Sequence, residues 1–183
     1  MASIDQNVLQ FFVNHRTDWL STLMYFFTTF GNVVPTVAIV CLVLTILYTN
    51  KNSKYILPFL ISVAGSAGTM YIIKIIFNKP RPLDFALYLE SGYSFPSGHA
   101  TLAIALYGIL IYTTYNQTNL KLKNLLILGF ILLILSIGLS RLYLGVHYIS
   151  DVLTGYLLGF IWVWIGIGVS KSKLWHPRDN EHL

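Results

Sequence analysis

The stretch that decides the fold is NLLILGFILLILSIGLSRLYLGVHYISDVLTGYLLGFIWVWIGIGV, Asn124 to Val169. Two apolar runs, Asn124 to Ser140 and Tyr148 to Val169, flank a short segment that contains Arg141 and His147. Each run has the length of roughly 17 to 25 residues that a helix needs to cross a bilayer core. The stretch therefore predicts two membrane-spanning helices joined by a short turn with ionisable side chains.

Three further apolar runs precede this stretch: Val33 to Tyr48, Tyr55 to Phe77 and Gly98 to Tyr115. With 55% hydrophobic and 10% charged residues, the 183-residue chain is too apolar for an ordinary soluble domain. The runs are continuous in Leu, Ile and Val, whereas strands of a membrane barrel alternate in polarity. We therefore expect an all-α, polytopic transmembrane helical bundle with five spans, forming a single domain over residues 1–183.

The first thirty residues are also apolar enough for a helix, but His15, Arg16 and Asp18 stand near the middle, where a membrane tolerates charge least. We expect a sixth span over residues 1–30, with a bent interfacial helix as the alternative. A secretory signal peptide is not expected, because the chain lacks a basic start and a small-residue cleavage pattern.

The formal charge of +5 would fit nucleic-acid binding, but basic loops also orient membrane proteins. Alternating spans place seven basic residues on one face, which we assign to the cytoplasm. The prediction is a multi-pass protein of the plasma or inner membrane, with no nucleic-acid or protein partner inferred. The seven residues are Lys51, Lys54, Lys121, Lys123, Lys171, Lys173 and Arg178.

Polar residues at the ends of four spans fall on the opposite face by the same alternation. A chance distribution would scatter such residues over both faces. The predicted functional site therefore lies at this second face. Its polar residues are Lys74, Lys79, Arg81, His99, Arg141, His147 and Asp151.

Two smaller patterns concern packing. Cys41 stands alone inside a predicted span, so it forms neither an intramolecular disulfide nor a cysteine cluster for metal. We expect it to be a small core residue. Gly155 and Gly159 form a Gly-x-x-x-Gly pattern, which favours close packing of two helices.

The segment FPSGHA, Phe95 to Ala100, leads directly into a predicted helix. Ser97 has a plain interpretation as the helix cap. The alternative is an anion site, because a helix N-terminus offers free N–H groups and a positive dipole end. Gly98 would allow close approach to the backbone, and His99 is placed to donate a proton.

His147 and Asp151 are four residues apart, so they share one face of a helix. A carboxylate that accepts from one imidazole nitrogen leaves the other nitrogen free, as in catalytic triads. This makes His147 a candidate nucleophile or base. We expect Asp151 to lie too deep in the helix to act as a cap.

The two histidines and the aspartate also fit a metal site. The neighbouring charges of Lys74, Arg81 and Arg141 disfavour it, because they repel a cation and attract a phosphate-like anion. We therefore expect no metal and no cofactor.

Three motifs in order now resemble a known family, the type 2 phosphatidic acid phosphatases (PAP2). The first is Lys74-x6-Arg81-Pro82, the second Pro96-Ser97-Gly98-His99, and the third Ser140-Arg141-x5-His147-x3-Asp151. Within the family, the combination of Lys74 and Gly98 is most similar to the phosphatidylglycerophosphatase B type, beside the undecaprenyl diphosphate phosphatases. The motifs cover residues 74–151.

The resemblance implies a metal-independent phosphatase with a phosphohistidine intermediate. It implies that His147 is the nucleophile, that Asp151 orients it, and that His99 is the general acid and base. The phosphate-binding groups it implies are Lys74, Arg81, Ser97, Gly98 and Arg141.

The substrate implied by the resemblance is a membrane lipid phosphate, such as undecaprenyl diphosphate, phosphatidylglycerophosphate or phosphatidic acid, reached from the extracytoplasmic face. The loop Leu83 to Phe95 is expected to cover the site or contact the headgroup. Three alternatives remain open: a lipid phosphotransferase with the same intermediate, a phosphatase for a soluble ester, and a non-enzymatic lipid or anion transporter.

Overall fold

The structure, a computed structural model, describes residues 2–116 and 122–172. These residues form seven α-helices and two short 3₁₀ turns, and they contain no β-strand. The all-α prediction is confirmed, and α3 to α7 coincide with the five apolar runs. The helices are α1 (Ala2–Asn14), α2 (Asp18–Thr29), α3 (Val33–Thr49), α4 (Ile56–Phe77), α5 (Gly98–Asn116), α6 (Lys123–Tyr143) and α7 (Ile149–Lys171).

Helix α5 is the centre of the bundle and packs against α4, α6 and α7. It approaches α7 closely because of two glycines. A Cβ atom on Gly155 would lie 2.7 Å from the carbonyl oxygen of Ser97, and one on Gly159 would lie 2.5 Å from that of Thr101. The expected close packing at the Gly-x-x-x-Gly pattern is therefore confirmed, and it fixes the start of α5 against the first turns of α7.

The outer faces of the helices carry large exposed apolar side chains, among them Ile76, Leu125 and Trp164. Within the described residues, three helices are long and apolar enough to cross a membrane, and α2 with α3, bent by 48°, makes a fourth if the pair counts as one span. Such faces need lipid rather than water around them. The protein is a multi-pass membrane protein, and the count of five or six spans stays a prediction.

The first thirty residues form two helices instead of one straight helix. The break lies between Asn14 and Asp18, where Arg16 donates hydrogen bonds to the carbonyl oxygens of Phe85 at 2.6 Å and Tyr143 at 2.9 Å. These bonds give the Arg16 guanidinium polar acceptors, one of them at the end of α6. Helix α1, with 13 residues, spans only about 20 Å and packs against α6 and α7.

The turn between α6 and α7 depends on Gly145, which has φ +72°. A Cβ at this position would collide with the carbonyl of Phe85 and would lie 2.8 Å from a guanidinium nitrogen of Arg16. The chain therefore reverses tightly here, and this turn delivers His147 to the end of the bundle.

The end of the bundle opposite His147 carries the basic residues of the other helix connections. Lys51 and Lys54 lie between α3 and α4, Lys123 begins α6 and Lys171 ends α7. The remaining three residues of the predicted cytoplasmic set, Lys121, Lys173 and Arg178, lie outside the described residues.

Cys41 is exposed on α3. The expectation that it packs in the core was wrong, because its face of the helix is turned outward.

Candidate active site

His147 is the focus of the site and is 1% exposed. Its Nε2 lies 3.0 Å from Arg81 Nη1, and its Nδ1 lies 3.3 Å from Ser94 Oγ. Because a guanidinium only donates, Nε2 must accept, so the ring hydrogen is on Nδ1. The lone pair of the imidazole is thus directed towards Arg81.

Asp151 holds the other end of this arrangement and is fully buried. Its Oδ2 lies 3.6 Å from His147 Nδ1 and accepts a 2.5 Å hydrogen bond from Ser94 Oγ. The same oxygen accepts from the backbone N–H of Tyr148 at 3.0 Å, and Oδ1 accepts from Lys79 Nζ at 2.7 Å. The hydroxyl of Ser94 therefore links the carboxylate to the ring.

The expectation that Asp151 lies too deep for a cap was wrong. Helix α7 begins at Ile149, so Asp151 occupies its first turn and forms a capping box with Tyr148. The apolar run starts one residue before the helix does, and this made the aspartate appear deeper than it is.

Burial, followed by the positive charges of Arg141, Arg81 and Lys74, lowers the pKa of His147 to about 3, although its interaction with Asp151 acts in the opposite direction. The ring is therefore neutral at physiological pH. A neutral imidazole with a fixed hydrogen on Nδ1 has the form that a nucleophile or base requires.

Glu90 joins the two arginines that the sequence assigned to phosphate. Its carboxylate accepts from Arg81 Nη2 at 3.1 Å and forms an ion pair with Arg141. Arg141 is fully buried and also donates to the hydroxyls of Thr28 and Tyr88. Its Nε has no hydrogen-bond partner among the described residues. One buried guanidinium N–H thus lacks a partner within the described part of the chain.

Lys74 lies at the last turns of α4 and donates to the carbonyl of Tyr93 at 2.5 Å. Arg81 likewise donates to the carbonyl of Gly92 at 3.0 Å. Both carbonyls belong to the loop 83–95. This loop therefore packs directly on the predicted phosphate-binding side chains, as expected for a segment that covers the site.

His99 lies on the first turn of α5, within electrostatic range of Arg81 and Lys74. Its Nε2 lies 2.9 Å from Asn32 Oδ1. Ser97, fully buried, accepts a long hydrogen bond of 3.5 Å from the N–H of Ala100, which is the capping geometry named as its plain interpretation.

Among the described residues, Met70 is the one whose side chain lies near Gly98. A Cβ added at Gly98 would lie 3.5 Å from the Met70 Cε, which is an ordinary contact, so packing alone does not require a glycine there. A larger residue would therefore fit at position 98, and the glycine leaves extra space beside its backbone. Close approach of an anion to this N–H remains the predicted use of the residue.

Several side chains of the site were not singled out from the sequence as site residues. Charge alternation places Lys79 on the correct face but gives it no role, and Ser94 and Glu90 stand out only as parts of a loop. Asp5 and Asn32 come from the N-terminal segment, whose position the sequence did not fix. The loop's single glutamate, set among aromatic residues, was the one usable signal.

The comparisons with known proteins concern the family and the fold. The model of the family described as "PAP2 superfamily" matches residues 55–175. Phosphatidylglycerophosphatase B of Bacillus subtilis is 37% identical over 94 residues, covering 49% of this chain and 45% of that protein. Undecaprenyl-diphosphatase of Sulfolobus acidocaldarius is 29% identical over 143 residues, covering 76% and 66%. The match thus spans less than half of the first relative and just under two thirds of the second.

Two solved structures are similar. The transmembrane PAP2 type phosphatidylglycerolphosphate phosphatase of Bacillus subtilis superposes with a TM-score of 0.84 at 27% identity, covering 91% of this chain and 84% of that one. Aquifex aeolicus LpxE superposes with a TM-score of 0.68 at 24% identity, covering 89% and 94%, and shows the shared fold alone. The family match covers well over half of the chain, and the three motifs lie within it. This chain therefore belongs to the PAP2 superfamily.

Proposed function

We propose that the protein is a membrane lipid phosphatase that hydrolyses lipid phosphate or diphosphate monoesters without a metal, through a phosphohistidine on His147. The observation that carries the proposal is the buried, neutral His147, whose Nε2 faces Arg81 while Nδ1 is held from behind. The names of the family relatives, which are lipid phosphatases, support the same reaction class.

In the first step, the Nε2 lone pair of His147 attacks phosphorus, a P–N bond forms and the bond from phosphorus to the lipid oxygen breaks. His99 gives a proton to the leaving oxygen. Arg81 Nη1 exchanges its contact with Nε2 for a phosphate oxygen, so the nitrogen is released as the substrate arrives. The positive charge that develops on the imidazole is stabilised by Asp151 through Ser94.

In the second step, a water molecule attacks phosphorus while His99 accepts its proton. The P–N bond breaks, inorganic phosphate leaves and His147 returns to its neutral form. General acid and base help of this kind contributes about 100 to 10,000-fold to a rate. The same residue acts in both directions, so removal of His99 should slow both steps.

The phosphate oxygens are bound in this proposal by Arg81, Arg141, Lys74, the Ser97 hydroxyl and the Gly98 N–H. The Arg141 Nε–H, buried and without a partner among the described residues, supports this role, since such a donor is costly unless a ligand accepts from it. Removal of one such donor costs roughly 3 to 4 kcal/mol of transition-state stabilisation in comparable sites.

The proposed substrates are phosphatidylglycerophosphate, undecaprenyl diphosphate and phosphatidic acid, and Lys74 with Gly98 favours the first. The site lies at the end of a bundle whose outer faces are apolar, so a lipid can present its phosphate there while its chains stay in the membrane. The lysines at the opposite end support an extracytoplasmic site in the plasma or inner membrane.

The test is phosphate release by the purified protein from these three lipids and from a water-soluble sugar phosphate, with EDTA present and with and without vanadate. The proposal expects release from at least one lipid, inhibition by vanadate and no effect of EDTA. Loss of activity with EDTA contradicts the metal-independent mechanism. Preference for the sugar phosphate, or transfer of labelled phosphate to a second lipid, identifies one of the two alternative reactions instead.

A further inference from the structure

Lys79 lies between two carboxylates at the edge of the site. Its Nζ donates to Asp151 Oδ1 at 2.7 Å and lies 3.8 Å from Asp5 Oδ2. It also donates to Ser150 Oγ at 3.0 Å and stands 4.3 Å from the centre of the Tyr148 ring. The ammonium is thus fixed from several directions, although its side chain is 31% exposed.

Asp5 comes from α1, far away in the sequence, and is buried. Its Oδ1 accepts from the backbone N–H of Ser150 at 3.0 Å, and its Oδ2 accepts from the hydroxyl of the same residue at 2.8 Å. These bonds attach α1 to the first turn of α7, next to Asp151. The N-terminal helix therefore supplies the second carboxylate that holds Lys79.

We propose that Lys79 is a positioning residue for the reaction of His147, that it acts through Asp151, and that Asp5 on α1 holds it in place. The proposal rests on the phosphatase function above. It gives the N-terminal helix a part in catalysis, although none of its residues touches the reacting nitrogen.

The charge of Asp151 explains why such a cation is needed. The carboxylate is fully buried, and a buried charge is costly unless it is paired. Apart from Lys79, the hydrogen bonds to Asp151 come from neutral donors, the Ser94 hydroxyl and the Tyr148 N–H. Lys79 forms the ion pair with Asp151 at 2.7 Å. Removal of Lys79 should therefore leave the buried charge of Asp151 without a counter-ion, and the imidazole of His147 should lose its fixed orientation.

The charged and titratable groups around His147 and Asp151 come from α1, α4, α5, α6 and the loop that follows α4. The cations near the ring act on His147 itself, whereas Lys79 contacts Asp151. Without the positive charge of Lys79, the hydrogen-bonded group of Asp151, Ser94 and His147 should take up a proton more readily. The form with a charged Asp151 and a neutral His147, which is the active form, should then be lost at a higher pH. These surrounding groups are Asp5 on α1, Lys74 on α4, Lys79, Arg81 and Glu90 in the following loop, His99 on α5 and Arg141 on α6.

The experiment compares Lys79→Met, Lys79→Arg and Asp5→Asn with the unmodified full chain across a range of pH, using in detergent micelles whichever of phosphatidylglycerophosphate, undecaprenyl diphosphate and phosphatidic acid the unmodified protein hydrolyses fastest. For Lys79→Met we expect kcat to fall at least about tenfold, as small misplacements of reacting groups do. We expect KM to change less than about twofold, because Lys79 is outside the proposed phosphate-binding set. The acid limb of kcat/KM should move to higher pH.

Lys79→Arg should restore both kcat and the acid limb, since it keeps the charge, and Asp5→Asn should shift both in the same direction as Lys79→Met but less. Unchanged kcat and an unmoved acid limb in Lys79→Met overturn the inference. If Lys79→Met does not fold, Lys79→Gln replaces it. An unmodified protein that is inactive on all three proposed lipids defeats the proposed function itself, whereas a Lys79→Met with unchanged kcat beside an inactive His147→Ala defeats only this inference.

Discussion

At the scale of single residues, the buried neutral His147 makes stability depend on pH. In the unfolded chain this residue binds a proton below its ordinary pKa near 6.5, whereas the folded protein keeps it neutral down to about pH 3. Because the unfolded state then binds more protons, the free energy of unfolding falls as the pH drops from about 6.5 towards 3. At about pH 4.5 the neutral His147 lowers the free energy of unfolding by on the order of 2 to 3 kcal/mol, compared with neutral pH.

The measurement is the melting temperature in detergent at about pH 7.5 and about pH 4.5. His147→Gln serves as the matched variant, because its side chain does not titrate. We expect the melting temperature of the unmodified protein to fall more between about pH 7.5 and about pH 4.5 than that of His147→Gln. Equal losses in the two proteins would show that His147 is not held neutral.

Glu90 is expected to orient the two arginines from behind. It binds Arg81 through Nη2 and Arg141 through Nη2, which leaves Arg81 Nη1 on the side of His147 and Arg141 Nε without a partner among the described residues. For Glu90→Gln we expect KM to rise about tenfold, since one charge-assisted anchor of each guanidinium is weakened. Inhibition by inorganic phosphate should weaken in parallel.

Glu90→Asp is the control, because it keeps the charge and shortens the side chain. The KM of Glu90→Asp should lie between those of Glu90→Gln and the unmodified protein. Tighter phosphate binding in Glu90→Gln would mean that the carboxylate competes with the substrate, which is opposite to its proposed role.

The limits of sequence reasoning are clear at this scale. The prediction that His147 and Asp151 share one face of a helix was wrong, because α7 begins at Ile149 and His147 lies in the turn before it. The turn nevertheless brings His147 Nδ1 to 3.6 Å from Asp151 Oδ2. Ser94 between them was missed, because a serine in a loop carries no periodicity. Asp5 was missed for another reason, since its contact with Ser150 crosses 145 positions of the chain. Only the packing of α1 creates that contact.

At the scale of helices, the contact of α5 with α7 depends on small residues. For Gly155→Ala we expect a loss of roughly 1 to 3 kcal/mol, because the new Cβ meets the Ser97 carbonyl at 2.7 Å. Activity should fall as well, since Ser97 and His99 move with the start of α5. The matched control is Gly168→Ala in the same helix, where a Cβ meets none of the described residues within 4 Å.

Thermal unfolding in detergent compares the two alanine variants. Gly168→Ala should keep or slightly raise the melting temperature, because alanine favours helix over glycine. A loss of equal size in both variants would show that the close contact between α5 and α7 is not what makes Gly155 sensitive to substitution.

Helix positions were predictable because long apolar runs determine them. The N-terminal segment was harder, since its apolarity favoured a span while Arg16 opposed one. The structure resolves this conflict with a break at which Arg16 binds the carbonyls of Phe85 and Tyr143. Those acceptors lie in other parts of the chain, so no pattern in the sequence around Arg16 predicts them.

At the scale of the whole molecule, the charge distribution predicts which end of the bundle faces outward. Leu89, in the loop over the site, is 86% exposed, and Asn124 lies on the first turn of α6 at the other end. In a Cys41→Ser background, Leu89→Cys should react with a membrane-impermeant maleimide on intact cells. Asn124→Cys should react only after the cells are opened. The reverse pattern would place the site in the cytoplasm.

The central claim is that His147 carries the phosphoryl group, and its most direct test is phosphate release by His147→Ala. The purified variant and the unmodified protein are compared with the preferred lipid phosphate and EDTA, after both are shown to be folded by their melting in detergent. We predict that turnover falls at least about a thousandfold, as expected when a covalent nucleophile is removed. Release at the unmodified rate by folded His147→Ala would contradict the claim.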